Sequence, residues 1–186
     1  MEGNAVRTPF LVGSAIYLRP LEREDAAIVL PWVNDPEVTR HLLLHRPINL
    51  KAEEDYIDRL YQSEQDVHLG IVVRQGDRLI GGCALHRIDA KNRSASLGIF
   101  LGDKEAWGHG HGTEAMRLLV GYGFETLNLN RVWLHVFEDN ARAIRCYEKV
   151  GFQREGILRQ DHFRAGRYWN TVVMGILRDD WRPAAS

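Results

Sequence analysis

Three alternating glycines precede a helical pattern in Trp107-Gly108-His109-Gly110-His111-Gly112-Thr113, after which Ala115, Leu118, Leu119 and Tyr122 recur at i, i+3, i+4 and i+7. Glycines let bare backbone approach a ligand. The free N–H groups of a helix start, with the positive end of its dipole, bind phosphate or pyrophosphate without a basic side chain. The Thr113 hydroxyl adds one more contact. Downstream, Asn140 has the residue type of an N-cap, and the helix it opens carries Tyr147, placed to act on whatever the loop holds. Tyr147 also falls on one stripe with Ala143, Cys146 and Val150, so core packing is a second account of it. A buried ring whose hydroxyl faces a cleft satisfies both.

Other readings of the loop fit less well. A dinucleotide fingerprint requires glycine where Thr113 stands and an acidic residue about 20 positions later, and a Walker loop requires Gly-Lys-Ser/Thr. A flexible turn remains the plain alternative. His109 and His111 on one loop, without a third ligand nearby, make at most a weak metal site, so no metal is expected.

The elements that position these groups follow from periodicity. Ser94 to Gly151 reads as strand, glycine loop, helix, strand and second helix. Before it, Ala15 to Leu21 alternates as a strand. Arg23 to Trp32 is helical, with Pro31 implying a kink or an earlier stop. Glu37 to Leu44 suggests a short helix, and Lys51 to Gln62 a longer one. Its acidic start, Glu53, Glu54 and Asp55, suits the helix dipole on a solvated face; an acidic wall for a cationic substrate is the sharper alternative. His68 to Arg74 and Leu79 to His86 flank a turn and, with Ser94 to Leu101, form an antiparallel meander. Arg131 to Phe137 is a strand, Ala141 to Val150 a helix, and Phe152 to His162 and Tyr168 to Leu177 close the chain as a hairpin. The result is a mixed α/β sheet layered with helices, residues 1–186 forming a single domain.

Composition narrows the function class. With 24 basic and 25 acidic side chains there is no bulk field to draw nucleic acid or an anionic membrane, so neither is an expected partner. Cys83 and Cys146 have neither metal spacing nor a disulfide framework and read as thiols. The start MEGNAVRTPFLVG lacks a basic-then-apolar signal, which makes the cytoplasm the expected location.

The loop and the block from Glu138 to Phe152 together resemble the GNAT superfamily of N-acetyltransferases. That family's phosphate-binding signature is Gln or Arg, two residues, Gly, one residue, then Gly or Ala. Trp107 through Gly112 matches it except that Trp107 replaces the polar residue, a variation compatible with the branch resembling ribosomal-protein N-terminal acetyltransferases and spermidine acetyltransferases. The resemblance implies a GNAT fold: a central mixed, mostly antiparallel sheet of about seven strands with helices on both faces, its central strands splayed to admit a pantetheine arm. It also implies acetyl-CoA as cosubstrate and an amine acceptor, either a protein N-terminus or a small molecule. A homodimer is left open, and a CoA-binding sensor without turnover or a nucleotide-phosphate binder are the rival functions.

Carried onto this chain, the resemblance assigns cofactor contacts to Ile99, Phe100, Leu101, Trp107, Gly108, His109, Gly110, His111, Gly112, Thr113 and Asn140. A backbone N–H within Ile99 to Leu101 would meet the thioester carbonyl. Tyr147 would protonate the departing sulfur, since a phenol of pKa about 10 and a thiol of about 8.5 are close enough for transfer. Relatives often carry glutamate near Ser96 to help remove the amine proton. With serine there, His86, His135 and Glu138 are candidate substitutes acting through water, each histidine equally readable as a strand residue satisfied locally. The final hairpin, with Arg159, His162, Arg164 and Arg167 around Tyr168 and Trp169, is expected to form a basic, aromatic rim that prefers an α-amino group or small amine to a polyamine.

Overall fold

The structure, a computed structural model, describes residues 7–183; residues 1–6 of the polar leader and 184–186 lie outside the described part. Its strands are β1 (Leu11–Val12), β2 (Ile16–Arg19), β3 (Val67–Val73), β4 (Arg78–Asp89), β5 (Ser94–Leu101), β6 (Arg131–Phe137), β7 (Gln153–Arg164) and β8 (Arg167–Leu177). They form one sheet of eight strands in the order β1-β2-β3-β4-β5-β6-β8-β7. Seven were expected; the extra one is the two-residue edge strand β1, too short to show an alternation. The helices are α1 (Ala26–Val33), α2 (Pro36–Thr39), α3 (Leu50–Leu60), α4 (His111–Glu125) and α5 (Ala141–Val150).

The meander β3-β4-β5 is antiparallel as read, and the β3–β4 link turns tightly through Gly76 (φ 81°) and Asp77 (φ 52°). From β5 the chain crosses over by α4 and returns as β6, and among the described strands only this pair is parallel. The β5–β6 pairing runs from Ser94–Arg131 to Ser96–Trp133 and stops there. Beyond it β5 continues to pair with β4 alone and β6 with β8 alone, so the two central strands diverge and leave a gap between them.

Side-chain alternation sends the two faces of the sheet to different partners. Ala95 and Leu97 of β5, Leu85 of β4, and Val132 and Leu134 of β6 join Ala115, Met116, Leu119, Val120 and Phe124 of α4 and Ile144, Tyr147 and Val150 of α5 in the main core. The opposite face packs Tyr17, Val72 and Leu79 against Val29 and Val33 of α1. Leu119 is fully buried, so truncating it to alanine would cost about 2–5 kcal/mol. A buried bidentate pair, Arg19 with Asp25 at 2.6 and 2.9 Å, anchors the 3₁₀ turn Arg23–Asp25 that leads into α1.

Two expectations about the early helices need correction. Pro31 neither ends nor shortens α1, which runs on to Val33. Ala27, whose carbonyl loses a donor to the proline, and Pro31 itself lie on the exposed side, where water can serve that carbonyl, while Val29 and Val33 hold the other side in the core. The helix expected over Glu37 to Leu44 stops at Thr39. Only Val38 of this segment is buried, and without an apolar stripe a helix so short is not sustained.

Candidate functional site

One cleft of about 1050 Å³ opens between the diverging strands and continues under the early helices. Its two halves are built differently.

The first half is mostly backbone. Gly110 (φ 84°) caps α4 in the left-handed conformation, and the first intrahelical bond runs from Glu114 N–H to the Gly110 carbonyl at 3.0 Å. The amides of His111, Gly112 and Thr113 therefore precede the helical ladder and point out of the helix start. Gly108 (φ 84°) and Gly110 face open space, with no atom within 4 Å of where a Cβ would stand. His111 Nδ1 is buried with no hydrogen-bond partner among the described residues. Amides, open glycine faces and an orphaned nitrogen at one helix start suit a phosphate-bearing ligand.

Trp107 explains its own departure from the family signature. Its indole N–H donates to the Leu101 carbonyl at 2.9 Å, and the Arg142 guanidinium stacks over its ring at 4.3 Å. The loop is thereby fixed to the end of β5 and to the first turn of α5. Asn140 caps α5 as its type predicts, accepting from the Ala143 amide at 3.1 Å, and Gly151 (φ 113°) ends that helix. Thr113 Oγ1 lies 3.2 Å from Cys146 Sγ, so its hydroxyl faces α5. Tyr147 is buried against Phe152, as the packing account expects, and is among the residues that line the cleft. Burial, and next the neighbouring Cys146, raise its phenol pKa well above 10.

Of the sequence-predicted contacts, Ile99, Phe100, Leu101, Trp107, Gly108, Gly110, His111, Gly112, Thr113, Asn140 and Tyr147 all line this cleft. His109 does not line it; its ring sits beside that of His111 at 6.0 Å.

The second half is made of side chains from α1, α2 and the segment following it, α3 and the start of β3. Val33, Val38, Leu42, Leu43 and Ile48 give it apolar walls, and Glu53, Tyr56, Arg59, His41 and His68 supply its polar groups. Glu53 is only 4% exposed, and burial raises its carboxyl pKa. Its neighbours in the acidic run turn away: Glu54 pairs with Arg23, and Asp55 with Lys51. The sequence had favoured a solvated face for the whole run, and Glu53 overturns that for one member.

The closing hairpin is a clearer correction. None of Arg159, His162, Arg164, Arg167, Tyr168 or Trp169 lines the cleft. Arg164 pairs with Asp139 at 2.8 Å, Arg167 stacks on Trp169 at 3.5 Å, and His162 stacks on Phe137 at 3.7 Å. Arg164, Arg167 and His162 are thus engaged by Asp139, Trp169 and Phe137. Among the substitutes for a base, Glu138 is engaged by the Asn170 amide and side chain at 3.0 and 2.9 Å and lies outside the cleft, whereas His86 and His135 line it.

Comparison with known proteins agrees with this geometry. The acetyltransferase (GNAT) domain family matches residues 15–153. The chain is 32% identical over 167 residues to the uncharacterized N-acetyltransferase p20 of Bacillus licheniformis, covering 88% of this chain and 93% of that protein. It is likewise 32% identical to the spermidine N(1)-acetyltransferase of Escherichia coli K12, with 90% and 88% covered. A crystal structure of the Vibrio cholerae spermidine N-acetyltransferase with CoA and spermine superposes with a TM-score of 0.81 at 29% identity, covering 90% of this chain and 98% of that one. Among the described residues no helix is long and apolar enough to cross a membrane. With the family model matching residues 15–153 and relatives at 32% identity aligned over most of their length, this protein belongs to the GNAT family and is an N-acetyltransferase.

Proposed function

We propose that the enzyme moves an acetyl group from acetyl-CoA to the primary amine of a small cationic acceptor. The observation that carries this reading is the ending of β5–β6 pairing at Ser96–Trp133, which opens a gap leading from the amides of α4 to Tyr147. The amides of His111, Gly112 and Thr113 hold the pyrophosphate, and Asn140 borders the arm that enters the gap. Backbone donors of Ile99 to Leu101 on the unpaired side of β5 steady the developing oxyanion, a contribution that needs no reorganisation because the strand is already fixed by β4. The bound cosubstrate supplies the activated acyl group.

Tyr147 gives its proton to the leaving sulfur. Burial keeps the phenol neutral throughout the physiological range, so the donor is always loaded. The same burial makes it a weaker acid, but a thiolate generated in that dry gap is destabilised too, which keeps the transfer matched.

For the acceptor, Glu53 is the decisive group. A buried carboxylate between apolar walls favours a partner that brings a positive charge, and the hairpin arginines that argued against a polyamine do not line the cleft. A diamine or polyamine fits this half better than an N-terminal peptide carrying a carboxylate. Thiol release should be measured with spermidine, simple monoamines and peptides beginning with Ala or Ser. Highest catalytic efficiency with a di- or polyamine is expected; a clear preference for the peptides would refute the acceptor assignment, and no thiol release with any amine would refute the transfer reaction.

A further inference from the structure

The acceptor's ammonium must lose a proton before it can attack, and Ser96 cannot take one at neutral pH. Directly across the β4–β5 ladder from Ser96 stands His86. Because Leu85 and Leu97 point into the main core, His86, Ser96 and Gly98 share the other face, the one covered by the early helices. His86 lines the cleft there.

Its two ring nitrogens have distinct surroundings. Nδ1 lies 3.5 Å from the Asp66 carboxylate, which is itself fixed by the Arg87 amide at 3.0 Å. Nε2 lies over Gly98, 3.4 Å from where a side chain at that position would begin. Glycine at 98 leaves that space free, next to the strand segment Ile99 to Leu101 proposed to hold the acyl oxygen. The negative charge beside Nδ1 favours a proton on that nitrogen, which leaves Nε2 as the acceptor.

We infer that His86, oriented by Asp66, is the general base that deprotonates the acceptor amine over Gly98. This rests on the transfer reaction proposed above. His86 Nε2 takes one proton from the ammonium; the nitrogen lone pair then forms the C–N bond and the C–S bond breaks. Tyr147 protonates the thiolate and is reloaded by the second N–H proton, while His86 releases its own to water. The balance is one ammonium and one thioester in, and one amide, one thiol and one proton out. Asp66 is the positioning residue. The other titratable groups around the base are His68 on β3, whose ring lies 4.9 Å from that of His86, and Glu53, Tyr56 and Arg59 on α3 in the same cleft.

The test compares His86→Gln and Asp66→Asn with wild type on the best amine of the panel above. His86→Gln is expected to lower kcat/KM by about 10²–10⁴-fold at neutral pH. The deficit should shrink at alkaline pH, and also with acceptors of lower amine pKa, which arrive already neutral. Acceptor and CoA affinities by calorimetry should match wild type. Asp66→Asn should lose less, with the acid limb of its pH profile displaced. Unchanged turnover of a folded His86→Gln protein overturns the inference, as does a loss equal at every pH and with every amine. Loss of wild-type turnover on EDTA treatment, restored by zinc, overturns it in favour of a bound cation. Wild type inactive on every amine would instead count against the transfer reaction itself.

Discussion

The half of the cleft built on the glycine loop and the half built on α1 and α3 solve different problems with different materials. The first presents backbone: helix-start amides, glycine faces and a strand edge freed by the divergence of β5 and β6. Backbone donors cannot be exchanged one residue at a time, so this half is tolerant of side-chain identity, as Trp107 in place of a polar residue shows. The second presents side chains from a helix and loops, with one buried carboxylate at Glu53 among apolar walls. There each substitution changes what is recognised. A common reaction and a variable acceptor follow from that division.

The division can be broken at its chemical centre first. Tyr147→Phe should lower kcat by about 10²-fold or more with CoA affinity unchanged, read by single-turnover kinetics and calorimetry. An unchanged chemical step would reduce Tyr147 to packing. In the wild type, no alkaline loss of kcat from phenol ionisation should appear below about pH 10, because burial moves that ionisation upward.

Next comes the cradle. At Gly112 a Cβ would meet only Leu101 Cδ1 at 3.6 Å, an ordinary contact, so Gly112→Asp should fold. Its carboxylate would sit at the dipole's positive end and repel the pyrophosphate. An affinity loss of about 30-fold or more is expected by calorimetry, taking about 2 kcal/mol for a charge in that position. A folded variant with wild-type affinity would place the cradle elsewhere.

The acceptor half gives a smaller, selective effect. Glu53→Gln should raise KM for a di- or polyamine about tenfold, the value of one charge-assisted contact, and leave KM for acetyl-CoA unchanged. If both constants move together, the two halves are not separable. Asn140→Ala, which removes the α5 cap, should cost about 1 kcal/mol, lowering Tm by about 2–4 °C.

What could be read from the sequence follows the same line. Helix α5 was legible to the residue because Asn140 and Gly151 punctuate it, and the glycine loop because backbone conformation is written in residue type. Side-chain destinations were not. Glu53, Glu54 and Asp55 are alike as an acidic helix start, and only packing sends the first inward and the others to Lys and Arg partners. The hairpin's arginines were plain to see, but which way β7 and β8 present them depends on Asp139 and Phe137, contributed by distant segments. The Asp66–His86 couple joins the entry to β3 with the far end of β4, a pairing set by the ladder rather than by any local motif.

The indole of Trp107, bonded to β5 and covered by Arg142 of α5, has a thermodynamic consequence. A loop rich in glycine is expensive to order, and in many phosphate sites the ligand itself bears that cost on arrival. Here folding bears it. The cofactor should therefore associate without a large conformational entropy loss, and Trp107→Gly should make the entropy of CoA binding more unfavourable by calorimetry.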